Sequence, residues 1–122
     1  MRLHTALMWR VKAGTEQKVR DLFASYGRPE MVIRDEQGVE RGKLLSTLVF
    51  MKDNIVIRVA DADVENVDML ARHLRQQPAI QDLEKNLDQY LEEPRDMSTP
   101  EGAQAFFRRA GMDCLVSRSY DD

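Results

Sequence analysis

The sequence predicts an α+β fold built on an antiparallel sheet. Three observations carry that prediction. Residues 42–60, GKLLSTLVFMKDNIVIRVA, place two apolar, β-rich runs around the polar loop Lys52-Asp53-Asn54, the pattern of a β-hairpin. Elsewhere, apolar residues recur at helical spacing in four separate segments. The elements follow one another as strand, helix, strand, strand, helix pair, extra helix, strand, and the length of 122 residues fits one domain over 1–122.

The first strand is read over residues 3–11, LHTALMWRV. The parity Leu3, Thr5, Leu7, Trp9 and Val11 is the more apolar and is expected to face helices, with His4, Ala6, Met8 and Arg10 on the opposite side. Lys12-Ala13-Gly14 turns the chain, Thr15 is the expected N-cap and Glu16 lies in the first turn. Val19, Leu22, Phe23 and Tyr26 then make one helical face, ended by Gly27 and Pro29. Residues 28–41 have no clean period and read as a loop or short irregular strand, with a turn near Gly38.

Both runs of the hairpin are almost continuously apolar, so both faces of the sheet are expected to be covered. Asp61 or Asp63 is expected to cap the next helix, whose stripe is Val67, Leu70, Ala71 and Leu74. Pro78 opens a third helix with Ile80, Leu83 and Leu87 inward. Residues 92–99, EEPRDMST, read as a surface connector. Ser98 with Glu101 and Thr99 with Pro100 are equally good starts for a fourth helix, striped by Ala103, Phe106, Phe107 and Ala110 and ended by Gly111. Residues 112–120 are read as the last strand. Without the extra helix before that strand the order is βαββαβ, a ferredoxin-like unit with helices on one side of the sheet. A second copy packed face to face would cover the other side. The result is a dimeric α+β barrel, with a pocket between helices and sheet or inside the barrel.

Composition removes several function classes. The net charge is −3 and basic residues are interleaved with acidic ones, so no nucleic-acid surface is expected. No run reaches membrane-span length, and His4 and Arg10 interrupt the apolar start, so neither a membrane span nor a signal peptide is expected. Cys114 is the single cysteine, which rules out an internal disulfide and points to a reducing cytoplasm. Two histidines on different elements and one cysteine match no metal-ligand spacing. Glycine-rich nucleotide loops and a nucleophile elbow are absent from the sequence. No cofactor is expected.

Arg58, flanked by Ile55, Val56, Ile57, Val59 and Ala60, is the leading candidate. It is either a cation inside a pocket, binding an enolate, carboxylate or phenolate oxygen, or an edge-strand arginine whose stem packs while its head reaches water. His4 is a candidate general base or proton shuttle, or a histidine at a frayed end. His73 is expected in solvent. Ser46 and Thr47 interrupt the second strand, and one of them must face away from the helices. Met8, Trp9, Tyr26, Ser46, Thr47 and Phe50 complete the candidate substrate contacts, with Trp9 and Tyr26 also read as core. If the chain is an enzyme, its tools would be an enclosed pocket, a few donors and a cation, which suit folding and dehydrating a reactive polyketone or deprotonating a phenol rather than breaking a stable bond.

Several runs carry a resemblance across nearly the whole chain: YGRPE at 26–30, LLSTLVFM at 44–51, IRVAD at 57–61, LEKNLDQYLEEPRDM at 83–97 and PEGAQAFFRRAGM at 100–112. They resemble the SchA/CurD-like family, small proteins of bacterial aromatic polyketide and spore-pigment clusters. The first strand and hairpin are more distantly similar to the tetracenomycin-type polyketide cyclases of the dimeric α+β barrel class. Where those cyclases carry a histidine on the third strand this chain has Arg58, and near their helix-end histidine it has Ser25 and Tyr26. The resemblance implies a role in aromatic (type II) polyketide assembly: a cofactor-free cyclase or aromatase, a cofactor-independent anthrone-type monooxygenase, or a non-catalytic module that binds an intermediate or organises the synthase. The implied partners are an aromatic polyketide intermediate, a second copy of the chain, and a synthase or carrier protein. Arg95, Asp96 and Arg108, in the most recognisable segment, either fasten the connector and last helix through ion pairs, or cover the pocket mouth or contact a carrier or synthase subunit.

Overall fold

The hairpin forms the middle of the sheet. In the computed structural model, which describes residues 1–120, it comprises β3 (Glu40–Lys52) and β4 (Ile55–Val64). Asp53 in its turn has φ 53°, a left-handed conformation that aspartate tolerates through local hydrogen bonding. β1 (Arg2–Arg10) pairs antiparallel with β4, short β2 (Val32–Arg34) lies outside β3, and β5 (Gly111–Met112) lies outside β1. The order across the sheet is β2-β3-β4-β1-β5. The helices are α1 (Glu16–Ser25), α2 (Val67–Gln76), α3 (Pro78–Leu87) and α4 (Pro100–Ala110), with a 3-10 turn at Asp88–Tyr90 after α3. This is the α+β, ferredoxin-like arrangement that the sequence predicts, with the extra helix before the last strand and one added edge strand.

Register decides which side chains meet the helices. Trp9, Val11 and Val56 pack with Val19, Leu87, Leu91 and Phe106 in one buried cluster. Leu44, Ala62 and Val64 pack with Ile33 and Leu70 in a second. The odd-numbered parity of β1 therefore faces helices, as its apolar content predicts. In β3 the register shifts between Leu44 and Ser46. This bulge changes the phase of the strand, so Leu44 and Thr47 both face helices while Ser46 turns to the open side.

Four local expectations are corrected. Asp61 and Asp63 lie inside β4, and Asn66 caps α2 instead, accepting from the Met69 amide at 3.0 Å. Asparagine caps as well as aspartate does, and the strand simply runs further than its apolar stretch. Thr15 precedes α1 but makes no side-chain cap; its hydroxyl donates back to the Lys12 carbonyl at 2.6 Å. The last strand is Gly111–Met112 alone, because only these residues pair with Leu7 and Ala6; Leu115 and Val116 beyond them are exposed. His73 is buried at 7% exposure, and its Nε2 lies 2.6 Å from the Glu30 carbonyl oxygen, tying α2 to the segment before β2. Of the two starts for α4, Thr99 is used: its hydroxyl accepts from the Gly102 amide at 3.0 Å and Pro100 follows it.

Candidate functional site

The two buried clusters leave a gap between them, and the gap follows from residue size. Cross-strand rows on the helix side run Trp9–Val56–Met51, Leu7–Arg58–Val49, Thr5–Ala60–Thr47 and Leu3–Ala62–Leu44. The third row is built from short side chains, so helices resting on the larger neighbours cannot close down upon it. A cavity of about 430 Å³ results, within the range of roughly 300–1,000 Å³ usual for small-molecule sites. Its walls include Thr5, Thr47, Arg58, Tyr26, Glu84 and Phe107.

Arg58 reaches into this cavity from β4. Its guanidinium lies 5.9 Å from the Trp9 ring centre and 5.8 Å from that of Phe23. It is not an isolated charge. Arg58 donates to Oε1 of Glu84 on α3, and Arg95 donates to Oε2 of the same carboxylate. Arg95 also donates to Asp88 at 2.8 Å, and its guanidinium stacks 4.4 Å from the Phe106 ring centre. Only 1% of the Arg95 side chain is exposed. The connector is therefore anchored inward at Arg95 rather than laid wholly over the surface. Two arginines and two carboxylates balance, which removes most of the cost of burying the charges.

Tyr26 and Thr47 join Arg58 at the cavity, and no histidine lines it among the described residues. Trp9 belongs to the neighbouring core, where its indole N–H has no hydrogen-bond partner among the described residues. His4, Met8, Ser46 and Phe50 lie on the opposite, open side of the sheet. There the rows are His4–Asp61–Ser46, Ala6–Val59–Leu48 and Met8–Ile57–Phe50. His4 and Arg58 consequently do not share a pocket within one chain. The His4 Nδ1 lies 2.6 Å from Asp61 Oδ1, and the Ser46 hydroxyl donates to Asp61 Oδ2 at 2.9 Å. The hydrogen bond from His4 holds the Asp61 carboxyl below its ordinary value, Ser46 adds to this, and partial burial opposes both. No group of three or more potential metal ligands occurs among the described residues.

Glu84 and Asp88 are the site residues that sequence reasoning missed. They are one helical turn apart, and Glu84 sits four residues after Ile80 and beside Leu83, on the margin of the apolar stripe of α3. That spacing was the available signal. Of the residues in the recognisable 92–110 segment, Arg95 is in the cavity network, whereas Asp96 accepts from Ser98 locally. Arg109 approaches Glu93 at 3.3 Å, a further tie between connector and α4.

A sequence model of the SchA/CurD-like domain matches residues 2–120. The chain belongs to the SchA/CurD-like family. Among its relatives, Polyketide synthase CurD of Streptomyces cyaneus is 36% identical over 88% of this chain. The 42.8 kDa protein in the whiE locus of Streptomyces coelicolor is 31% identical over 96% of it. Protein SchA of Streptomyces halstedii is 27% identical over 88% of it. This SchA/CurD-like chain spans only 27–28% of the length of these curated relatives. The solved structure of tetracenomycin F2 cyclase from Streptomyces glaucescens, a type-II polyketide cyclase, superposes with a TM-score of 0.53 at 15% identity, covering 96% of this chain and 97% of that one. At that identity the likeness concerns the fold. No helix among the described residues is long and apolar enough to cross a membrane.

Proposed function

We propose that this SchA/CurD-like chain acts in aromatic polyketide biosynthesis as a cofactor-free cyclase or aromatase. The observation that carries this reading is the guanidinium of Arg58 inside a cavity of about 430 Å³, in a family whose relatives include a protein named polyketide synthase. A poly-β-ketone offers methylenes flanked by two carbonyls. Loss of one such proton to water in the open cavity gives an enolate, whose oxygen Arg58 stabilises. The enolate carbon then bonds to a ketone carbon further along the chain, and the resulting alkoxide takes up a proton. Loss of water, followed by enolisation of the ketones left in the ring, completes an aromatic phenol. The walls hold the chain folded so that the reacting carbons meet, which is where most of the rate gain would arise.

The test is an Arg58→Ala variant assayed for product profile in the producing pathway, with its fold checked by circular dichroism. A fall of about tenfold or more in cyclised product is expected from loss of one oxyanion contact. An unchanged profile from the folded variant overturns the catalytic reading. The absence of a histidine from the cavity walls among the described residues favours a second reading: a module that binds an intermediate without turnover. It predicts saturable ligand binding with no conversion by the purified protein.

The working form in either reading is a homodimer, with a second copy over the open side of the sheet. Met8, Leu48, Phe50 and Met112 on that side are 40–56% exposed, an apolar surface of the kind that association covers.

A further inference from the structure

Two guanidiniums from different parts of the fold converge on one carboxylate within the cavity. Arg58 comes from β4 and Arg95 from the connector, and each holds a different oxygen of Glu84. All three side chains line the cavity. Arg95 is braced on its far side by Asp88 at 2.8 Å and by the face of Phe106. Paired donors held apart by the scaffold form a receptor for a planar anion with two oxygens, and a carboxylate is such an anion.

We propose that Glu84 is an internal stand-in for the ligand: Arg58 and Arg95 form a cradle for a planar, two-oxygen anion, and Glu84 leaves it when that anion enters. Three features support this beyond the convergence itself. With Glu84 withdrawn, Arg58, Arg95 and Asp88 together carry one positive charge, which one incoming anion neutralises. Arg75 and Lys85 also line the cavity, so its walls hold an excess of cations. Glu84 keeps part of its side chain in contact with solvent, so it can turn outward, whereas Arg95 cannot. The inference rests on the proposed polyketide-binding role and narrows its ligand. The group recognised is the enolate of a 1,3-dicarbonyl or a terminal carboxylate, both of which present two oxygens to the same donors.

The experiment measures ligand binding by quenching of Trp9 fluorescence. Trp9 is the single tryptophan of the chain and lies against the Arg58 guanidinium. The probes are 2-acetyl-1,3-indandione as the enolate, anthraquinone-2-carboxylate as the carboxylate, and anthraquinone-2-carboxamide as the neutral match. Glu84→Gln keeps the size of the side chain and removes its charge. It is expected to tighten at least one anion by about tenfold and to leave the carboxamide within about twofold. The anion with the larger gain identifies the source of the two oxygens. Glu84→Asp, whose shorter arm cannot reach both arginines, should give a smaller gain and replaces the glutamine variant if that one fails to fold. Carboxamide binding with no gain for either anion overturns the stand-in and leaves the cavity as an aromatic site. No binding of any probe to any folded variant overturns both.

Discussion

At the scale of single residues, Arg58 gains its meaning from a partner that sequence could not supply. Its position in an apolar strand marks it as unusual, and register puts it on the helix side. Glu84, however, is 26 residues away, and only the packing of α3 on the sheet brings the two together. The same applies to His73, whose burial depends on how the segment before β2 passes over α2. Replacing His73 with phenylalanine leaves the Glu30 carbonyl without its donor. A loss of about 1–3 kcal/mol in chemical denaturation is expected, and a loss near zero would show that this hydrogen bond does not hold the segment. Asp61 supplies a pH test. Its carboxyl is held below the ordinary value of 3.8, first by the hydrogen bond from His4 and then by Ser46. The unfolded chain therefore takes up this proton first as pH falls. The stabilisation is complete above the unfolded value and is lost as pH drops through the lower folded value. The part of the stability gap between wild type and Asp61→Asn that this carboxylate supplies should be lost as pH falls below about 4. A gap that stays constant down to pH 2 would refute it.

Elements were legible wherever a period or a cap was strong. The stripes of α1, α3 and α4, that of α2 apart from Val67, which is 53% exposed, Pro78 and Pro100 at helix starts, and the hairpin turn all depend on contacts within a few residues, which a sequence displays. The last strand did not show itself correctly, because strand length there is set by how much of β1 remains free to pair, not by the apolar run itself. The connector was only half legible. Its charge and Pro94 mark a break in regular structure, but its inward anchoring by Arg95 depends on α3 and α4. Gly102 provides an element-scale test of how tightly the connector sits on α4. A Cβ built there would lie 1.8 Å from the Asp96 carbonyl oxygen. Although alanine is the better helix former, Gly102→Ala is expected to destabilise by about 1–3 kcal/mol through this clash. A raised melting temperature would mean that the connector moves aside at little cost.

For the whole molecule, the deciding feature is that, among the described residues, the sheet has helices on one side only. The near-continuous apolar character of the hairpin is explained on the helix side by the core, but not on the other. There Met8–Ile57–Phe50 and Ala6–Val59–Leu48 form two adjacent apolar rows, bordered by the polar row His4–Asp61–Ser46. A stable interface removes about 800 Å² from each partner, a scale that calls for most of this sheet face rather than its edge. Under the proposed homodimer, the centre of the contact is the Phe50 row, so charge placed there should act before charge at the rim does. Phe50→Asp is expected to shift sedimentation from dimer to monomer. Arg34→Asp, on edge strand β2, should leave the mass unchanged. Because Phe50 points away from the cavity, a monomeric Phe50→Asp protein should still bind anthraquinone-2-carboxamide in the cavity if one chain completes the site. Loss of that binding together with the dimer would instead show that the second copy shapes the cavity. A wild-type protein that sediments as a monomer at micromolar concentration would refute the homodimer, and the open side would then need a different partner.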